Sequence, residues 1–502
     1  MDFLSDKEWH VVISGTGLQQ SLLALALSRS GKNVLHVDAN EYYGGAEAAL
    51  SLQEAKAWAE KHAGKARGQH APFSAARVAQ EDACGLAASR SYSIALAPQL
   101  IHARSELLKQ LVSSKAFRQV EFLAVGSFFI FQPPSEDASS NHKPRLSRIP
   151  STREDVFTNT TIPTRSKRML MKFLKFVLEY DSEPHLERWK QREAEPLVEF
   201  LRTEFQLDSE LQSYIVTLTL SIDGQISVGA GLAAINRHLS SMGMFGAGFA
   251  AVYPKWGGLA EVAQVGCRAG AVGGAVYMLG VGISSSQNST SEGRGTVGIT
   301  LSNNVVIKSR TLIQNAETSS LEGVRLNRLV AIINQPLSSM FEVAVDNAPT
   351  PSTAVVAFPT GSVSDENGSP SQYPIYALVH SSDTGECPAG QSVVYLSIVA
   401  HSTSEQLLDA ALLSLMSAVS EAEPAQSIFR LHYAQACGNA SFIVEDRTGS
   451  FDWLPADLAF NDAVLEQVQQ AWKFTASPSD EETYMTFDDR ESFDEDNDAF
   501  DS

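Results

Sequence analysis

The residues that could do chemistry together stand near the start of the chain. Gly15-Thr16-Gly17-Leu18-Gln19-Gln20 follows the short apolar run Val11-Val12-Ile13, and Asp38 closes a second run, Val34-Leu35-His36-Val37. A dinucleotide such as FAD asks for this spacing. One glycine makes the tight turn, a second lets backbone approach the pyrophosphate, a third allows close helix–strand packing, and an acid holds the ribose. Gly15 and Gly17 supply the first two, and Asp38 falls where the ribose acid belongs, although capping a strand end is an equal use for it. Gln20 takes the third position and puts a long side chain where the helix should pack closely. No CxxC pair and no evident catalytic base accompany the loop. The four cysteines, Cys84, Cys267, Cys387 and Cys437, lie far apart and read as reduced structural thiols, with no metal site expected. The expectation is a degenerate loop: the dinucleotide fold with no cofactor bound, a vestigial FAD site.

Holding such a loop takes parallel strands joined by a crossover helix. Leu18 to Ser30 is rich in Leu and Ala at helical spacing and stops at Gly31, so the block from Trp9 to Asp38 reads strand, helix, strand. Beyond it, Ala59 to Ser89 shows little pattern and reads as a loop or insertion. Leu100 to Ser113 reads as helix, and Phe122 to Gln132 as a strand leading through the Pro/Ser-rich stretch 133–150 to a hairpin partner. Arg165 to about Ser221 is strongly helical, and Gly229 to Met278 is mixed and glycine-rich. Residues 283–310 read as a hairpin with a polar tip, Ala354 to Ala400 as strands, and Ser404 to Ser420 and Asn461 to Trp472 as helices. This order predicts an α/β, FAD-type Rossmann-like fold, discontinuous in sequence, with an inserted helical domain. Its body would span 1–130 and 225–475, its helical domain 150–224, and a tail 476–502.

At 502 residues, 44% hydrophobic and 19% charged, the composition is that of a globular protein. The formal charge of −20 is unevenly placed: Asp480 to Ser502 holds eleven acids against Arg490, a net of −10, which leaves −10 for the body. Such a tail is expected to be solvated and disordered, and an acidic body argues against nucleic acid as a partner. No apolar run nears the roughly 20 residues of a membrane span, and the first residues lack the basic and apolar regions of a secretory signal. A cytoplasmic protein is expected.

The opening VVISGTGLQQSLLALALSRSGKNVLHVDANEYYGG resembles that of the Rab escort proteins and Rab GDP dissociation inhibitors, a superfamily with the FAD-oxidoreductase fold but not its chemistry. Three further blocks, SRSYSIALAPQLIHARSELLKQLV, SKRMLMKFLKFVLEYD and GGLAEVAQVGCRAGAVGGAVYML, agree in order, and Gln20 fits a family that lacks the third glycine. The resemblance runs from Trp9 to about Trp472, with interruptions at 59–89 and 133–150. It implies a platform for the switch regions of GDP-bound Rab GTPases, made by Tyr43 of YYGG, Glu261, Gln264 and Arg268 of AEVAQVGCR, and Tyr277 and Met278 of VYML. Tyr and Met offer area for burial, and Glu and Arg fix register; packing inside a strand is the other use of Tyr277 and Met278. Ala95 departs from the family, which usually has an acid there.

Escort proteins also dock Rab geranylgeranyltransferase through a Phe and an Arg, matched here by Phe157 and Arg168. The resemblance therefore implies a non-catalytic escort. Such a chain binds GDP-bound Rab, presents it to the transferase, and carries the geranylgeranyl lipid of the product to a transient membrane contact. Two alternatives remain at this stage: a dissociation inhibitor that recycles prenylated Rabs, and a flavin-dependent oxidoreductase of the amine oxidase type, whose Gly-Gly turn YYGG resembles. An apolar face on Leu170, Phe173, Leu174, Val177 and Leu178 could serve the lipid or the core.

Overall fold

The computed structural model describes residues 2–64, 72–80, 85–134, 144–150, 156, 162–289, 295–317, 324–343, 345–419, 424–476 and 484–487. Strand β1 (Glu8–Ser14), helix α1 (Leu18–Arg29) and strand β2 (Val34–Asp38) form the expected unit. β1 pairs in parallel with β2, Val11 opposite Val34, and on its other side with Val306–Asn315. Val276–Leu279 adds to the far side of β2, again in parallel. At the opposite edge, beyond Val306–Asn315, the antiparallel strands Thr296–Leu301 and Ile283–Ser289 form the expected hairpin. β2 is buried at every position, as a parallel strand covered on both faces must be. Helix α1 is buried on all sides because the sheet lies under it and two later helices lie over it.

A second sheet runs Phe73–Gln80, Ser427–Ala436, Arg325–Ile333, Ser392–Val399, Ile375–Ser381, Thr353–Phe358, Phe122–Gln132, Ala251–Pro254 and Ile101–His102. Arg145–Arg148 pairs antiparallel with Phe122–Gln132, which makes the hairpin expected across 133–150. The loop expected over 59–89 is corrected in part. Helix α2 (Leu52–Lys61) is capped reciprocally by Ser51 and Glu54, and Phe73–Gln80 is an edge strand. Its alanines blur the alternation, and Trp58 and Phe73 bury their rings against Tyr433 only in the fold. The helix expected from Leu100 is also shortened: Ile101–His102 is strand, and α3 (Glu106–Ser113) starts where the Ser105 hydroxyl caps the Leu107 N–H.

The helical insertion comprises α4 (Thr164–Leu178), α5 (Glu183–Trp189), α6 (Leu197–Phe205), α7 (Ser209–Thr219) and α8 (Val228–Ser241). The last of these begins where a mixed region was expected. Gly231 permits it, since a Cβ there would stand 2.7 Å from Leu197. The apolar face of α4 is largely core: Leu170, Phe173 and Val177 are buried, with Phe173 against Phe205 at 5.1 Å, while Leu178 is exposed.

Helices α9 (Leu259–Val272), α10 (Ser404–Val419) and α11 (Ala463–Thr475) follow in the body. Part of the tail is packed rather than solvated, which corrects the expectation for Tyr484–Phe487. Met485 and Phe487 are buried, Tyr484 packs edge-on to Trp472 with ring centroids 5.3 Å apart, and the Ser113 hydroxyl donates to the Met485 carbonyl at 2.7 Å. Two apolar anchors inside an acidic run offset the charge locally. Met485→Asp is expected to release this strap and cost about 2 kcal/mol, the burial of one methionine. Trp472 emission would move to the red, and an unchanged spectrum and melting temperature would show that the strap is not docked.

Candidate functional site

Helix α9 begins at a pair of glycines that no other residue could replace without movement. Gly257 (φ 110°) would put a Cβ 2.3 Å from the Ala49 side chain, and Gly258 (φ 67°) one 2.6 Å from the Tyr253 hydroxyl. The close approach brings the Tyr42–Ala49 segment against the start of α9, with Gly44 (φ 98°) facing Ala260. Glu261 then lies in the first turn, where the helix dipole favours an acid. Arg268, two turns on, donates from Nη2 to Glu261 Oε1 at 2.5 Å, and Gln264 stands between them on the same face, half-buried. The Arg268 side chain is 55% exposed and that of Glu261 15%. An ion pair whose cation is open to solvent contributes about 0–1 kcal/mol to folding.

Tyr43 is half-buried beside this face, and burial, then the nearby Cys267, pushes its hydroxyl pKa up. Tyr277 sits on the edge strand Val276–Leu279 with its ring 5.0 Å from that of His36. Its hydroxyl turns inward to Cys267, and burial raises its pKa strongly. Met278 alternates to the opposite face of the strand and packs on the cluster that holds Leu35 and Val37. The structure thus gathers Tyr43, Glu261, Gln264 and Arg268 on one surface, supports it with Tyr277 from beneath, and leaves Met278 on the other face. Cys267 is a buried thiol pushed up to about 12, chiefly by burial. Ala95, where the family's acid is missing, donates its N–H to the Tyr395 hydroxyl, which in turn donates to the buried Glu386.

The glycine loop is turned to internal use. The Thr16 N–H and hydroxyl both donate to Asp38 Oδ2, at 2.8 and 2.7 Å, and the Asn40 N–H donates to Oδ1 at 2.8 Å. Both oxygens that a ribose would need are therefore engaged. Gln20 does not wedge α1 away from the sheet, as its position in sequence suggested. Its amide donates to Asn315 and lies over the loop, with Oε1 2.9 Å from where a Gly17 Cβ would be. Glu47 Oε2 lies 3.2 Å from the same point. These side chains fill the cradle that a pyrophosphate occupies, and the cavity left beside them, about 270 Å³, has the acids Glu47, Glu317 and Asp452 in its wall along with apolar residues such as Phe73, Trp453 and Leu454. FAD does not fit the residues present.

Of the two residues matched to transferase docking, Arg168 is exposed on α4, and Phe157 lies outside the described residues. The sequence reading missed an apolar groove of about 450 Å³, walled by Leu108, Leu111 and Val112 of α3, with Phe117, Phe245 and Phe249. The signal was present in Met242-Gly243-Met244-Phe245, a glycine-hinged segment whose Met244 and Phe245 are 49% and 58% exposed. The turn that carries Phe117 packs on α9, although no residue of α9 lines the groove. Among the described residues no group of His, Cys, Asp or Glu is placed to hold a metal, and no helix is long and apolar enough to cross a membrane. Cys267, Cys387 and Cys437 are buried, and Cys84 lies outside the described residues.

Residues 5–355 match the model of a family described as GDP dissociation inhibitor. A Saccharomyces cerevisiae protein named Rab proteins geranylgeranyltransferase component A is 29% identical over 408 residues, 80% of this chain. The chain spans 63% of that relative's length. Among solved structures, a Rab GDI from Plasmodium falciparum superposes with a TM-score of 0.65 at 17% identity, covering 93% of this chain and 98% of the other. An oxidoreductase from Methanosarcina mazei gives 0.57 at 12% identity, over 92% and 99%. The expected α/β fold, common to Rab GDI and to an oxidoreductase, is thereby established.

Proposed function

The chain belongs to the GDP dissociation inhibitor family, and from that premise we propose that it is a non-catalytic escort of Rab GTPases. It binds the GDP form of an unmodified Rab, presents it to Rab geranylgeranyltransferase, and shields the lipid of the product until delivery to a membrane. The observation that carries this reading is the exposed Arg268, paired to the largely covered Glu261 beside Tyr43, over a dinucleotide loop whose ligand space is filled by Gln20 and Glu47. A surface built for a protein partner and a cradle closed to a cofactor favour binding over redox chemistry. The likeness to a component A over four fifths of the chain favours the escort branch over recycling.

In this reading Tyr43, Gln264, Glu261 and Arg268 face the switch regions, Tyr277 stiffens the surface from below, and Met278 serves at its edge. Arg168, with Phe157, docks the transferase. The Phe245 groove receives the apolar part of the client's tail; its volume falls within the roughly 300–1,000 Å³ of small-ligand sites, and each buried CH₂ of an isoprenoid contributes about 0.8 kcal/mol.

The test is prenylation of an unmodified Rab by the purified transferase, with and without this protein. Strict dependence on the added chain is expected. Binding of the Rab without any support of prenylation would move the chain to the recycling role. A yellow purified protein with flavin absorbance would overturn the binding reading altogether.

A further inference from the structure

Helix N-termini leave backbone N–H groups without partners, and an anion is the usual occupant. At the start of α1 the anion belongs to the protein. Glu47 is buried at 4% exposure, with its carboxylate 3.2 Å from where a Gly17 Cβ would stand and facing the backbone N–H groups of Glu47 itself and of Leu18. It reaches this place from the single turn Gly45–Glu47, just after Tyr42-Tyr43-Gly44. The turn lies directly on the glycine loop. The Gly44 N–H donates to the Thr16 carbonyl at 3.1 Å and hydroxyl at 3.2 Å, and a Cβ on Gly45 would stand 3.2 Å from the Gly17 nitrogen. The positive φ of Gly15, Gly44 and Gly45 therefore serves the approach of one loop to another.

We propose that Glu47 is a positioning residue: its carboxylate, seated on the N-terminus of α1 in the room of a dinucleotide's pyrophosphate, latches the Tyr42–Ala48 loop and so fixes Tyr43 on the partner surface. Removing the carboxylate leaves the Leu18 amide and the loop without their shared anchor, and the segment that carries Tyr43 is freed. Burial holds the carboxyl pKa up at about 7 against the backbone donors that lower it, which marks a group kept in place by its surroundings at some cost. The step from the latch to partner binding rests on the platform reading above; the latch itself does not.

The test uses the full chain with Glu47→Ala, Glu47→Asp and Glu47→Gln, read by hydrogen exchange of the segments 15–20 and 42–48. Glu47→Ala is expected to speed exchange in both segments about tenfold or more. Millimolar formate or inorganic phosphate should restore protection in Glu47→Ala and have no effect on the parent, because only the variant has an open anion site. Glu47→Gln, which keeps the shape, should fall between. Unchanged exchange in Glu47→Ala, or faster exchange that neither anion reverses, would overturn the proposal. Affinity for GDP-loaded Rab should fall about tenfold in Glu47→Ala, in step with Tyr43→Ala. If Tyr43→Ala leaves affinity unchanged, the platform reading has failed and the exchange data alone judge the latch.

Discussion

Arg268→Glu is expected to weaken the binding of GDP-loaded Rab by about a hundredfold, or about 2.7 kcal/mol, while the melting temperature moves by about 2 °C or less. The substitution removes a guanidinium that offers forked donors, and it sets two carboxylates against each other where a 2.5 Å pair now stands. Inside a desolvated interface such a change costs about 2–5 kcal/mol, much of it from the partner group left unpaired. In the free protein the Arg268 guanidinium is open to water, which is why folding is insulated. The charge swap Glu261→Arg with Arg268→Glu restores the internal pair and should not restore binding, since the order of charges presented to the partner is reversed. Titration calorimetry separates these cases. An Arg268→Glu protein that binds Rab as the parent does would remove α9 from the interface.

The second large effect is on stability against acid. His36 and His238 are buried, and burial pushes each imidazole down to about 4; His102, whose ring lies 5.7 Å from that of His238, is lowered well below the usual value for the same reason. A depressed histidine contributes stability that is full above the unfolded value near 6.5 and lost as pH falls through that value towards 4. From pH 7 to pH 5, His36 and His238 each remove about 2 kcal/mol, and His102 acts in the same direction. Glu47 opposes them. Its pKa is raised, so protonation of the folded state between 7 and 4.5 returns about 2 kcal/mol over the same interval. The balance is a net loss of about 2 kcal/mol or more, visible in urea melts at the two pH values. His238→Gln should flatten the loss, and Glu47→Gln should steepen it. A parent chain equally stable at both pH values would contradict the burial of these rings as uncharged groups.

Much of the fold was legible because its signals are local. Val11 to Asp38 carries its own punctuation: a β-branched run, glycines at the turn, a Leu/Ala helix and a second run ending on an acid. The structure adds to these elements only their neighbours. The 283–310 hairpin and the Ser404 and Asn461 helices were legible for the same reason. Phe73–Gln80 was not, since an alanine-rich edge strand becomes a strand by pairing with Ser427–Ala436, more than 300 residues away. Tyr484–Phe487 was hidden by the charge around it, although two apolar anchors suffice to hold a short strap to a surface groove.

For the site, the residue types and their spacing determined by themselves that Gly15 and Gly17 form a turn and that the dinucleotide loop is incomplete, whereas the helix that puts Glu261, Gln264 and Arg268 on one face lay in a stretch read only as mixed. Which way side chains point was decided by tertiary structure alone. Gln20 could have wedged a helix or filled a cradle, and the outcome depended on Asn315 standing opposite to receive its amide. Tyr277 and Met278 are neighbours in sequence yet face opposite sides of an edge strand. Glu47 bears no motif, and its role appears only when Gly44 and Gly45 bring its turn onto the end of α1. Hydrophobic period and turn chemistry act over a few residues and can be read along a chain. The destination of a single polar side chain depends on partners that the fold delivers from far away, and no local pattern records them.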